Sequence, residues 1–414
     1  MSSSSSYRQL FTLAGPWFVV IAFVARLPLA MAQLGSLLLV AGVTGSYGAG
    51  GLVAGAVAVA NAVGAPLAGT LSDRTGQRRV LVVQSLVAAV GLTGLVVAAD
   101  QGAGMPVLLA WAVVTGVALP QAGTLARVRW RLLAERAERP QLTGTAFALE
   151  GSVDEASFVI GPALVGVGAA LVAPSGALLA AAALVVVFGL AFALHPTAEL
   201  TRPDRSLPRA VGGPLLTPRL ALLLTAMLGV GMVFGSVQTG NSVLATAAGE
   251  PGLTGGLHAL LGVGSVLAGL LVPLLPARWA PDRRLLGFAA SLLVLSAPLL
   301  LVDTLLPLAV VLLVLGLSIA PTMITIFTLA ADAAPRPRLT TALTVLAGTT
   351  GVGYALGSSV AGRLADWGGH QPAYAVTVLA AGISTLAALA VLLTGARRPT
   401  TPGPSSTRQP QHQD

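Results

Sequence analysis

Cysteine and lysine are both missing from the 414 residues. Without Cys there is no disulfide, no thiolate nucleophile and no thiolate-bound metal. Without Lys there is no phosphate-binding lysine of the Walker type and no Schiff base to retinal or a pyridoxal cofactor. All 23 basic residues are therefore Arg. Charge of either sign is scarce, at 9% of the chain, where soluble domains carry about 25%. The four His, at 195, 258, 370 and 412, show no ligand spacing, so neither a metal nor a cofactor is expected. No nucleophile, base and orienting group stand at recognisable spacing, which argues against an enzyme.

What fills the chain is apolar. Hydrophobic residues make up 55%, with 49 Gly and 27 Pro, and the mean hydropathy is +0.85. A helix of roughly 20 apolar residues crosses a bilayer, and small residues let such helices pack closely. The runs predict an all-α polytopic membrane protein with twelve spans, at about 13–35, 45–71, 80–99, 106–127, 143–170, 174–194, 219–246, 256–276, 285–302, 305–331, 339–362 and 372–394. The apolar start with its Ala30-Met31-Ala32 imitates a cleaved signal peptide. Arg26 and Pro28 interrupt it, and we expect it to stay as the first span.

The loops alternate in charge. One set carries 21 of the 23 Arg, from Arg8 through Arg74, Arg78 and Arg79 to Arg336, Arg338 and the tail, and counts Arg127, Arg129 and Arg131 among its members. The other set carries Arg363 beside Asp100, Glu250, Asp303 and Asp366. Basic loops stay in the cytoplasm, so a plasma-membrane protein with both termini cytoplasmic is expected. Arg scattered over many loops is no nucleic-acid patch. The Pro- and Arg-rich connector after His195 divides the spans into six plus six. DRTGQRRVL (Asp73–Leu81), PDRRLL (Pro281–Leu286) and GRLADWGG (Gly362–Gly369) echo one another across the halves, as internal repeats of transporters do.

GTLSDRTGQRR (Gly69–Arg79) lies between spans 2 and 3 and resembles the G-x-L-x-D-R-x-G-x-R-R loop of the major facilitator superfamily. The resemblance extends over the whole topology and points to a bacterial secondary transporter of the twelve-span type. The resemblance implies two six-helix bundles, which the spans and loop charges place at 13–194 and 219–394, with a cytoplasmic N-terminus at 1–12, a cytoplasmic central loop at 195–218 and, by its polar Pro-rich composition, a disordered cytoplasmic tail at 395–414. It also implies alternating access about a midplane cavity. Gly69, Asp73, Arg74, Gly76, Arg78 and Arg79 would form a cytoplasmic latch. Asp73 would be favoured near the N-terminus of the helix that opens span 11.

SFVIGPALVG (Ser157–Gly166) in span 5 is similar to the antiporter pattern G-x-x-x-G-P-x-x-G-G at Gly161 and Pro162 and departs from it at Ser157 and Val165. In the family these small residues shape a tight interface between bundles. On span 4, WAVVTGVALPQAG (Trp111–Gly123) lacks the Arg that the family places there, so its proton-handling role is not carried over. GVGYALG (Gly351–Gly357) reads as close helix packing, since no strand precedes it.

A charge at the bilayer centre costs about 2.5–3.5 kcal/mol on insertion scales. Arg26 in span 1 and Glu150, Asp154 and Glu155 in span 5 are such charges. Helical register puts Glu150 and Asp154 on one face and Glu155 about 100° away. Arg26 is expected to pair with Asp154 or Glu150. Either a spare carboxylate then exchanges protons, or the pair is permanent and fixes packing. Asp332 is expected to cap its helix or pair with Arg336 or Arg338. Cavity candidates on the implied lining helices are Arg26, Gln33, Thr115, Gln121, Gln238, Asn241, Thr322, Met323 and Thr325.

The expectation is a monomeric transporter that moves a small organic solute through the bilayer, with export in exchange for protons as the first reading. An importer or uniporter, or a non-transporting receptor on the same fold, are the alternatives.

Overall fold

The computed structural model describes residues 3–171, 173–202, 214–250, 253–276 and 279–396. Twelve of its helices are long and apolar enough to cross a bilayer. Spans 1 to 6 are Pro16–Thr44, Ala49–Thr75, Gln77–Asp100, Met105–Arg136, Leu142–Ala169 and Pro174–Leu194. Spans 7 to 12 are Pro218–Ala247, Thr254–Leu274, Pro281–Leu301, Leu305–Ala333, Arg336–Gly368 and His370–Thr394. There is no strand among the described residues. A short helix, Ser3–Ala14, precedes span 1. Residues 203–213 of the central connector, Arg278 and the tail from Arg397 onward lie outside the described residues.

Local chemistry sets the boundaries. Pro stands in the first turn of spans 1, 4, 6, 7 and 9, where its missing N–H is not needed. Gly45, at φ 66°, ends span 1 in the left-handed conformation, and Gly76, at φ 84°, separates span 2 from span 3. Spans 1 and 4 run farthest past their expected carboxyl ends. Span 1 continues to Thr44, because the chain stays apolar until Gly45. Span 4 continues to Arg136, which lifts Arg127, Arg129 and Arg131 out of the predicted loop and onto a helix.

Span 4 is broken once, at Leu119–Gln121, between the helices Met105–Ala118 and Ala122–Arg136. Pro120 has no N–H for the helical ladder and frees carbonyls of the preceding turn. Asn61 of span 2 supplies the missing donors. Its amide nitrogen lies 3.0 Å from the carbonyls of both Gly116 and Leu119. Irregular backbone at membrane depth is thus satisfied inside the protein, as a bilayer requires.

Spans 1–6 pack on one another, as do spans 7–12, giving two six-helix bundles. In the second, Gly353 and Gly357 of GVGYALG lie so close to span 7, at Leu228 and Met232, that a Cβ would strike its backbone. The bundles meet through span 2 on span 11 and through span 5 on spans 8 and 10.

Candidate functional site

Asp73 lies in the last turn of span 2. Its Oδ1 accepts the Thr340 N–H at 3.0 Å, and its Oδ2 accepts the Thr341 N–H at 2.8 Å and the Thr341 hydroxyl at 2.6 Å. These are free donors in the first turn of span 11, so a carboxylate from one bundle caps a helix of the other. Gly69, one turn earlier on the same face, makes the approach possible. A Cβ there would collide with the Thr344 hydroxyl.

The rest of the sequence motif faces its own bundle. Gly76 turns against Thr201 and Arg202 of the central connector. The Gln77 N–H donates to the Thr201 hydroxyl at 3.0 Å. Arg78 pairs with Glu199 at 3.1 Å, with both side chains exposed. Arg74 and Arg79 are exposed and meet no carboxylate among the described residues. The cross-bundle contact is therefore made by Gly69 and Asp73, whereas Gly76 and Arg78 hold the connector. That connector also receives Arg129. Its NH1 donates to the Phe192 carbonyl and the Thr197 hydroxyl, its Nε donates to Gln77, and its guanidinium stacks 3.9 Å from the Phe192 ring. Burial and the Arg129 charge hold the neighbouring His195 below the usual histidine range.

A second set of cross-bundle contacts closes the same face. Arg131 of span 4 bridges Glu135 at 3.1 Å and Asp332 of span 10 at 2.9 Å. Arg336 reaches Glu135 at 3.8 Å. The sequence reading has Asp332 cap its helix or pair with Arg336 or Arg338. It pairs with Arg131 instead, because span 4 extends far enough to bring that residue beside span 10.

Deeper in the bundle, five ionisable side chains gather. Arg26 donates to the Glu150 carboxylate at 2.5 Å and to Asp154 at 3.1 Å. Arg127 donates to the other Asp154 oxygen at 2.7 Å. Trp130 donates its indole N–H to Glu150 at 2.7 Å, held by an edge-on contact with Phe18. The Arg127 guanidinium lies 4.2 Å from the Phe327 ring of span 10. The expected Arg26 pairing is present with both carboxylates at once, joined by Arg127, which sequence reasoning assigned to a loop. Two Arg and two carboxylates form a charge-balanced lattice, so neither Glu150 nor Asp154 is left spare. Gly123 of span 4 makes room for it, since a Cβ there would fall on the Asp154 carboxylate. Glu155, also buried, lies outside these ion pairs, on the face of span 5 that Ser152 and Val159 turn toward span 8.

Gly161 and Pro162 lie within one continuous helix, Leu142–Leu171. Gly161 packs on Ala30 of span 1, inside its own bundle rather than between bundles. The contacts of span 5 with the other bundle come from Ser152, whose hydroxyl donates to the Val266 carbonyl at 3.3 Å, and from Val159 beside Gly262.

The cavity candidates divide. Gln33 is exposed, and Gln121, Gln238 and Met323 are half-buried. Gln121 donates to Asn61 at 2.6 Å, and Gln238 accepts from the Tyr354 hydroxyl at 2.8 Å. Thr115 is buried against Gly91. Asn241 is buried and accepts from Tyr374 at 2.9 Å. Thr322 and Thr325 donate back to the carbonyls of Ser318 and Pro321, both at 2.7 Å. These last four serve packing. No group of three or more His, Asp or Glu among the described residues is placed to hold a metal.

The family model described as Major Facilitator Superfamily matches residues 9–342 and again residues 299–413. No curated protein sequence matches the chain. Solved structures do. A bacterial homologue of the iron transporter ferroportin, in its outward-facing state, is similar with a TM-score of 0.68 and 12% identity, over 93% of this chain and 99% of that one. The E. coli fucose:proton symporter gives 0.65 and 16% over the same shares. The human organic anion transporter MFSD10 gives 0.62 and 19%, again over 93% and 99%. With the family model spanning nearly the whole chain, and with two six-helix bundles joined through Asp73 and span 11, the chain belongs to the Major Facilitator Superfamily of membrane transporters.

Proposed function

We propose that this transporter exports a small organic solute across the plasma membrane in exchange for protons, with its Arg-rich face and both termini in the cytoplasm. One observation carries the reading: Asp73 of the first bundle caps span 11 of the second, above a buried lattice of charges. With the Arg-rich loops inside, this is an outward-facing state, sealed toward the cytoplasm. The likeness in fold to a ferroportin homologue in its outward-facing state supports that assignment. For the cycle to proceed, span 11 must leave Asp73 and the bundles must rock. Gln33, Gln121, Gln238 and Met323 are the polar and adaptable groups offered to a solute. The resemblance of Gly161-Pro162 to the antiporter pattern, and the buried Glu155 outside the ion-paired lattice, support exchange against protons.

The test is a solute screen on inverted membrane vesicles with an acidic lumen. At least one compound is expected to accumulate in vesicles holding the chain, and to leak out when a protonophore collapses the gradient. Asp73→Asn is expected to abolish accumulation at normal membrane abundance. Entry that only equilibrates the solute, whatever the pH gradient, would replace exchange with uniport. Solute leaving the vesicles together with protons would replace export with import.

A further inference from the structure

The four-charge lattice and Glu155 are neighbours in sequence but differ in kind. Arg26, Arg127, Glu150 and Asp154 neutralise one another by direct ion pairs. Glu155 has no Arg or His at ion-pair distance among the described residues, and its side chain is buried. Glu155 stands three residues after Ser152 and four before Val159, so it shares the helix face that meets span 8 of the other bundle. On that facing stretch of span 8, the Ser265 oxygen accepts the Ala320 N–H of span 10 at 3.0 Å. Glu155 therefore lies in the seam between spans 5 and 8. Ser152 bonded to Val266 and Val159 packed on Gly262 close that seam on either side. Rocking of the bundles must part these contacts.

The geometry points to Glu155 as the group that carries the exchanged proton, with the Arg26–Glu150–Asp154–Arg127 lattice as a static frame. This rests on the proton-coupled reading above. An ionised carboxylate sealed in a seam without a counter-cation is costly, so the neutral acid goes with the closed seam. Once the seam parts toward water the charge is solvated and the proton leaves. Lattice carboxylates lack this dependence, since their cations move with them in one bundle. The other ionisable groups around span 5 are accounted for. Arg26 of span 1 and Arg127 of span 4 lie on the Asp154 face, and Asp154 adds a like charge next to Glu155. Tyr7 of the first helix donates to the Leu270 carbonyl, and Arg8 of that helix is exposed. Spans 6 and 10 bring no ionisable group to this depth, Asp332 being held by Arg131 at the far end of span 10. His258, seven residues before Ser265 and on the same face of span 8, lies about 10 Å farther along the seam, beside Phe234.

The test needs no solute. The chain has no Cys, so Arg79→Cys and Arg338→Cys, exposed and on opposite bundles, accept spin labels cleanly in the purified full-length protein. Their distance is measured from pH 5 to pH 9 in lipid nanodiscs. The parent is expected to shift to longer distances as pH rises. Glu155→Gln, which mimics the protonated acid, is expected to lose the shift and stay short throughout. Glu155→Asp and His258→Gln are expected to keep it. A full shift in Glu155→Gln, its absence from the parent, or its loss in His258→Gln would overturn the assignment. If the labels respond as expected while no compound crosses vesicles under a pH gradient, the transport reading fails and the proton site stands.

Discussion

Two loops of this protein carry the same short message, an Asp followed by paired Arg, and use it differently. In the first, Asp73 reaches across to the other bundle and takes three hydrogen bonds from the start of span 11. In the second, Asp282 stays in its own bundle and pairs with Arg219 at 2.6 Å. The cause is position along the helix. Asp73 stands at the carboxyl end of span 2, where the helix dipole disfavours a negative charge, and it finds its donors elsewhere. Asp282 stands in the first turn of span 9, where the dipole of its own helix already favours it. The first loop also has Gly69 one turn before its Asp, which lets a foreign helix come close. A repeated motif thus joins the two bundles in one half and braces its own bundle in the other.

The largest expected effect breaks that comparison at the carboxylates. Asp73→Ala removes an acceptor of three bonds, worth roughly 2–4 kcal/mol to the closed face. Proton-driven flux in vesicles should fall at least about tenfold. Asp282→Ala loses a half-screened ion pair of about 1 kcal/mol and should leave flux within about twofold. Equal losses in the two variants would show that the loops act alike. The next effect leaves charge untouched. Gly69→Val places a side chain where the Thr344 hydroxyl stands and should cut flux nearly as far as Asp73→Ala, whereas Gly287→Val in span 9 has no atom within 4 Å of its Cβ and should be silent. The smallest concerns the Arg. The Arg78–Glu199 pair is exposed, so Arg78→Gln should change thermal stability by about 0.5 kcal/mol or less and spare flux. A large loss there would move the gate from the Asp to the Arg.

Much of this was legible in the sequence, for identifiable reasons. Twelve apolar runs punctuated by Arg, Pro and Gly could not be buried in anything but a bilayer, and all twelve spans form. The Gly69–Arg79 line identified the family and singled out Asp73 and the start of span 11. Arg127 was not found. ARVRWRLLAER reads as a basic loop because its Arg alternate, yet Arg131 and Glu135 at i,i+4 were a helix signal. Without Arg127, the cluster looks one cation short, and one of Glu150 and Asp154 reads as spare when both are paired. Asn61 escaped notice as well, since only the Pro120 break, 59 residues later in the chain, gives its amide something to satisfy. Thr322 and Thr325 looked like cavity groups, but a Thr hydroxyl on a helix can turn back to its own backbone, and sequence does not reveal which way it turns.

The central claim is that Asp73, and not its counterpart Asp282, holds the Arg-rich face shut. The most direct measurement is the distance between spin labels at Arg79→Cys and Arg338→Cys, at pH 5, in the parent, in Asp73→Ala and in Asp282→Ala. The account predicts a short distance in the parent and in Asp282→Ala, and a shift to long distances in Asp73→Ala. A short distance that persists in Asp73→Ala, or a lengthening of equal size in Asp282→Ala, would contradict it.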